Sequence, residues 1–210
     1  MRIVPAVLAN SADELSSLVR TAETFADYVQ FDFMDGLFVP SKSASIEDLA
    51  GLKPSVRSEA HLMVREPESY LQGLKTAGTE RVIFHVEAVN DPEETIRSIR
   101  DHGFDAGLAV NPGTSNKDVD YLISQVNTVL FLAVNPGFYG APFIPEVLDK
   151  IADLRGKYPE AEIGIDGGMK RDNVQDAVKA GVDYICIGSA IFNAEDPKKA
   201  YEDIISAVSK

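Results

Sequence analysis

Short apolar runs alternate with longer amphipathic, charged runs along this whole chain, and no other feature restricts its fold as much. The runs that read as strands are Ile3–Leu8, Tyr28–Met34, Glu59–Val64, Arg81–Val86, Ala106–Val110, Val129–Val134, Glu162–Ile165 and Tyr184–Ile187. Helical patterns between them carry end signals. "SADE" begins at Ser11, with Glu14 three residues on, as in a capping box. Pro67 opens "EPESYLQGLKTAG" in a first helical turn, and Gly78 stops it. "DPEETIRSIRDHG" repeats the design, with Asp91 as cap, Pro92 at the first position and Gly103 as the stop. "RDNVQDAVKAG" ends in the same way at Gly181, and "DPKKAYEDIISAVSK" supplies the last helix.

Strands that alternate with helices imply the α/β class and a parallel sheet. Runs such as "TVLFLAV" and "YICIG" read as strands buried on both faces. Eight strand–helix units with no linker, in 210 residues that are 45% hydrophobic, fit one domain over 1–210. The architecture expected is a (β/α)8 TIM barrel at the small end of its range. An open doubly wound sheet is the rival. However, "LANSAD" stands where the Gly-rich turn of that fold would follow the first strand.

A barrel of this kind puts chemistry at the C-terminal ends of its strands. Those ends hold Asp32, His61, His85 and Asp166. Asp32 interrupts an apolar run, a costly place for a carboxylate without a partner. With Asp32 on strand two and Asp166 opening "DGG" after strand seven, two carboxylates reach one substrate from opposite sides of the mouth. Such a pair suits removal of a proton from one face of a carbon and its return to the other. His61, in "AHLMV", can ligate a metal or donate to a developing oxyanion. Each of these residues also has a plainer reading as a satisfied polar group at a strand end. Asp35, before Gly36, reads equally well as a turn residue. Met34 and Met63 flank the acid–base candidates and suit an apolar lining.

Glycine-rich stretches follow three successive strands: "NPGFYG" over Asn135–Gly140, "DGG" with Gly167 and Gly168, and "GSAIF" with Gly188 and Ser189. One such stretch is an ordinary turn. Three on adjacent strands suit a backbone that closes on a ligand, and the loops after strands seven and eight are the common barrel phosphate site. Charge supports this arrangement. A net charge of −13 argues against nucleic acid as a partner, and it requires any anionic substrate to be held locally by N–H groups. A single cysteine, Cys186, excludes an internal disulfide framework and cysteine-rich zinc sites, which points to a reducing, cytoplasmic setting. No apolar run is long enough to span a bilayer, and the N-terminus lacks a signal-peptide pattern.

"MDGLFVP", "HLMV", "FHVEA", "VNPGF", "PFIPEVLDKI", "IDGG" and "GSAIF" occur in an order and spacing that resembles the ribulose-phosphate 3-epimerase family, from Ile3 to Phe192. The resemblance implies a phosphate-binding barrel that inverts the carbon next to the ketone of a pentulose 5-phosphate, interconverting ribulose and xylulose 5-phosphates. It implies that Asp32 and Asp166 are the acid–base pair, and that Gly137, Phe138, Tyr139, Gly140, Gly167, Gly168, Gly188 and Ser189 hold the phosphate. His61, Met34 and Met63 would contact substrate. It also implies a divalent metal (Zn, Mn, Fe, Co or Mg) on Asp32, His61 and Asp166, no organic cofactor, and a homo-oligomer, dimer or hexamer.

The chain departs from the family pattern at four positions. Gln30 stands where the first His of His-x-Asp-x-Met-Asp-Gly belongs. Ala6 replaces a substrate-contacting serine, Leu37 a histidine, and Leu132 a methionine; the segment after Pro40 is also shorter. Gln30 either offers its amide oxygen as a weaker ligand, which favours oxygen-loving metals, or donates an N–H to the enediolate without a metal. Two alternatives to the epimerase follow from these changes: an isomerase for another ketose phosphate, with altered or absent metal, and a non-catalytic sugar-phosphate-binding relic. The orotidine-phosphate type of decarboxylase would need an Asp-x-Lys-x-x-Asp array, which no strand end carries.

Overall fold

In a computed structural model, which describes residues 1–137 and 141–208, eight parallel strands close into a barrel with β1 paired to both β2 and β8. The strands are β1 (Arg2–Val7), β2 (Tyr28–Met34), β3 (Arg57–Met63), β4 (Arg81–His85), β5 (Asp105–Val110), β6 (Thr128–Leu132), β7 (Ile163–Asp166) and β8 (Tyr184–Ile187). β2 and β8 keep the bounds read from sequence. The others shift at one or both ends by one or two residues. The shift at β7 bears on chemistry. Asp166 is the last residue of that strand, paired with Leu132 and Cys186, so its side chain is fixed by sheet geometry rather than by a loop.

The two faces of the barrel explain the continuously apolar strands. One set of side chains, including Val4, Ala6, Tyr28, Ile83, Leu130 and Tyr184, packs inside the barrel as its own cluster. The other set, including Val29, Phe31, Leu62, Phe84, Phe131 and Ile165, packs against the surrounding helices. Room inside comes from glycine. A Cβ on Gly107 would lie 2.7 Å from Ile83 and 2.8 Å from Thr128, and one on Gly164 would overlap the Tyr184 ring. Below this layer, Tyr28, Glu59, Arg81, Glu162 and Arg2 close the N-terminal end in a network of ion pairs and hydrogen bonds.

The helices are α1 (Ala12–Ala22), α2 (Ile46–Leu52), α3 (Leu71–Ala77), α4 (Pro92–Asp101), α5 (Asn116–Val119), α6 (Val147–Lys157), α7 (Val174–Ala180), α8 (Ser189–Phe192) and α9 (Pro197–Val208). Ser11 caps α1 by accepting the Glu14 N–H, but the Glu14 carboxylate accepts from Asn10 rather than closing a box on Ser11. Asp91 caps α4 through the Glu94 N–H, and Gly78 and Gly181 end α3 and α7 with φ of 79° and 98°. Pro67 opens a 3-10 turn that leads into α3. α2, α5, α6 and α8 lie outside the helical patterns read from sequence. α2 is held by a capping box between Ser45 and Asp48, where the shorter Asp replaces the usual Glu. Among the described residues no helix is long and apolar enough to cross a membrane.

Candidate active site

Inward-facing positions recur every second residue along a strand. On β2 this row runs Tyr28, Gln30, Asp32, Met34; on β3 it runs Glu59, His61, Met63, in register with β2. The rows rise from the ion-pair network at the floor to polar groups at the mouth. There one pocket is lined by Ala6, Asp32, Met34, His61, Met63, Leu132, Gly137, Asp166, Gly167, Gly168, Gly188 and Ser189, among others. Of the site residues read from sequence, Phe138, Tyr139 and Gly140 lie outside the described residues.

β1 and β8 separate β2 from β7 around the barrel, yet Asp32 and Asp166 converge, because both point toward the axis. They are nearer one another than carboxylates on opposite sides of the mouth would be. Gln30 Nε2 donates to both, at 2.8 Å to Asp32 Oδ1 and 2.7 Å to Asp166 Oδ2. The Cys186 thiol donates to the amide oxygen of Gln30 at 3.1 Å. The amide is therefore fully paired inside the barrel, with its N–H edge toward the carboxylates. His61 faces the same pair, with Nδ1 3.1 Å from Asp32 Oδ1 and 3.4 Å from Asp166 Oδ2.

Burial and the neighbouring Asp166 charge push the Asp32 carboxyl up to about 6. Burial lowers His61, but hydrogen bonds to Asp166 and Asp32 and their charges outweigh it and raise the imidazole to about 9. Ligand atoms of Asp32, His61 and Asp166 all lie within 4.8 Å of one another, so two carboxylates and one imidazole could hold one cation. This donor set fits a divalent metal. In the orientation described, Gln30 adds hydrogen-bond donors to it rather than an oxygen ligand.

Met34 and Met63 form a small apolar cluster with Val39 beside these groups. Asp35 has a turn role: its carboxylate accepts N–H groups of Leu37, Phe38 and Arg65. Leu37 is 74% exposed and does not line the pocket. On the other side of the mouth, Gly167 and Gly168 have φ of 100° and 66°, a region costly for other residues. A Cβ on Gly168 would press on Phe143, and one on Gly188 would lie 3.0 Å from the Ala6 carbonyl.

Beside His61 runs a chain of contacts that sequence reasoning did not assemble. His61 Nε2 is 2.9 Å from His85 Nε2, and His85 Nδ1 is 3.3 Å from the Glu87 carboxylate. The available signal was the i, i+2 spacing of His85 and Glu87 in "FHVEA". The Cys186–Gln30 contact had none, since 156 residues separate the partners.

The model of the ribulose-phosphate 3 epimerase family matches residues 2–192. A cytoplasmic isoform of ribulose-phosphate 3-epimerase from Oryza sativa subsp. japonica is 36% identical over 219 residues, covering 100% of this chain and 93% of that protein. The ribulose-phosphate 3-epimerase of Escherichia coli (strain K12) is 32% identical, covering 99% of this chain and 96% of its own. Among solved structures, a 3-hexulose-6-phosphate synthase superposes with a TM-score of 0.73 at 16% identity, covering 99% of this chain and 100% of its own. The orotidine 5'-phosphate decarboxylase from Pyrococcus horikoshii OT3 gives 0.71 at 19%, covering 99% of both chains. At such identities these two structures speak to the fold alone.

Proposed function

Because the chain belongs to the ribulose-phosphate 3-epimerase family, we propose that Asp32 and Asp166 are the proton-transfer pair of its reaction. The protein is an isomerase of the epimerase class. It inverts the carbon next to the ketone of a ketose phosphate, converting ribulose 5-phosphate to xylulose 5-phosphate. One carboxylate takes the proton from that carbon as the C–H electrons move into an enediolate. The other carboxyl group returns a proton to the opposite face. One group must start ionised and the other protonated. The upward shift of Asp32 next to a second carboxylate suits that division. The observation that carries the reading is the convergence of both carboxylates on one amide and one imidazole at the floor of the pocket.

The backbone at Gly137, Gly167, Gly168 and Gly188, with the Ser189 hydroxyl, binds the phosphate end through N–H and O–H donors. This is how a chain of net charge −13 holds an anion without a basic patch. Gln30 keeps the two carboxylates at a fixed separation. Met34, Met63 and Leu132 keep water from the reacting carbon. Asp32, His61 and Asp166 would hold a divalent cation, which when bound supplies positive charge to the enediolate oxygens. We read residues 1–210 as one domain, since the barrel closes β1 onto β8. The name of the Oryza relative places that protein in the cytoplasm, and the single buried thiol suits the same compartment here. The family resemblance extends to a dimer or hexamer, which light scattering would measure.

The test is incubation of purified protein with ribulose 5-phosphate in deuterated water. Deuterium is expected at the carbon beside the ketone, along with xylulose 5-phosphate. If neither forms, with or without added divalent metal, the reading is wrong.

A further inference from the structure

His61 and His85 are completely buried and approach each other through their Nε2 atoms at 2.9 Å. Two N–H groups cannot share that contact, and two lone pairs would gain nothing from it, so one ring donates and the other accepts. The direction is set at the far end of the chain. Glu87 Oε1 accepts the Asn111 N–H at 2.8 Å and the Thr114 hydroxyl at 2.5 Å. This locks the carboxylate in place and leaves Oε2 to His85 Nδ1 at 3.3 Å. A carboxylate that accepts two other hydrogen bonds is ionised and can only accept here. His85 Nδ1 must therefore carry the hydrogen. His85 Nε2 then offers a lone pair, and His61 Nε2–H donates to it.

From this sequence of contacts we infer that Glu87 and His85 are positioning residues that fix the hydrogen-bond polarity of His61. With Nε2 committed as a donor, His61 turns Nδ1 toward Asp32 Oδ1 and Asp166 Oδ2. Nδ1 and the two carboxylates then form the set that surrounds a cation. The inference rests on the reading that Asp32, His61 and Asp166 hold a divalent metal. Partners that orient a ligating histidine through its other nitrogen typically matter 10–100-fold in metal affinity. Glu87 lies outside the ligand set and its effect would pass through two rings.

The discriminating change is Glu87→Gln. The Asn111 N–H and Thr114 hydroxyl keep an oxygen at the Oε1 position, so the new amide nitrogen is directed at His85 Nδ1. A donor there reverses the chain: His85 Nδ1 becomes an acceptor, Nε2 a donor, and His61 loses its reason to present Nδ1 to a cation. Two measurements follow. Nitrogen-15 NMR of the histidine rings in the metal-free wild type should find the hydrogen of His85 on Nδ1, and Glu87→Gln should move it to Nε2. Titration with Co2+, followed by its visible absorption, should find binding weakened about 10–100-fold in Glu87→Gln. Circular dichroism would establish that the variant is folded. A wild-type His85 carrying its hydrogen on Nε2 overturns the inference, whether or not the variant folds. So does a folded variant whose Co2+ affinity stays within about twofold of wild type, since that is well short of the effect such partners usually have. Failure of the wild type to take up Co2+ would overturn the metal reading instead, and the tautomer result would distinguish the two.

Discussion

Gln30 joins Asp32, Asp166 and Cys186 through one side-chain amide, and that position governs how the site behaves. Its donor edge partly neutralises two carboxylates that would otherwise repel. Gln30→His would exchange those donors for an imidazole beside Asp32, His61 and Asp166. The expected outcome is a metal affinity raised by about tenfold or more, read by competition with a chelator. Unchanged affinity would mean that the imidazole does not reach the ligand set. For the acid–base pair, Asp166→Asn should lower kcat by about 10²–10⁴-fold, the usual contribution of a positioned acid or base. Steady-state assay with ribulose 5-phosphate measures it. The same variant tests the electrostatics. In metal-free protein the Asp32 carboxyl should titrate near 6, raised by burial and by the Asp166 charge. Removing that charge should move the midpoint down, visible in carboxyl carbon-13 shifts. Asp32 and His61 could be found from sequence because they interrupt apolar runs, and Asp166 because it ends one and opens "DGG". The role of Gln30 could not, because two of the amide's three partners, Asp166 and Cys186, lie 136 and 156 residues away.

The strands were easier to read than the helices, for a physical reason. A strand buried on both faces is an apolar run wherever it occurs. A helix of four to seven residues, such as α5, α2 or α8, completes too few turns to show a periodic stripe. Long, capped helices such as α4 carry their own signals in Asp91 and Pro92. Strand glycines carry information of a different kind. Gly164 on β7 faces the Tyr184 ring of β8, whose hydroxyl meets Thr128 Oγ1 at 3.1 Å. Gly164→Ala would force the ring to move within a packed barrel. It should destabilise the protein by about 1–3 kcal/mol, the common range for overpacking. Urea unfolding measures this, and a variant as stable as wild type would show that the ring has room to yield.

At the scale of the whole molecule the barrel has two ends with opposite uses. The mouth gathers the proposed chemistry, and the floor buries charge. Glu59 is fully buried and pairs with Arg81 at 3.3 Å and with the Tyr28 hydroxyl at 3.1 Å, and burial pushes its carboxyl up to about 7. A raised carboxyl means that, between about 4.5 and 7, the folded protein keeps a proton that the unfolded chain releases. Stability from this group is therefore greatest at low pH and falls as pH rises through that window. The fall is about 3 kcal/mol at 1.36 kcal/mol per pKa unit. Glu59→Gln should flatten the difference between urea unfolding at pH 5 and at pH 8 by up to that amount; parallel curves would rule the account out. The alternation of apolar and amphipathic segments pointed to eight parallel strand–helix units, the missing Gly-rich turn after the first strand favoured a closed barrel over an open sheet, and the strand ends then placed Asp32, His61 and Asp166 at its C-terminal end, because secondary structure and strand polarity follow from local pattern. Only the closed barrel decided that the two carboxylates share one amide, that Cys186 orients that amide, and that Glu87 reaches His61 through His85. Those contacts form between inward-facing side chains of different strands, and their distances depend on the curvature and register of the sheet, which no local stretch of the chain encodes.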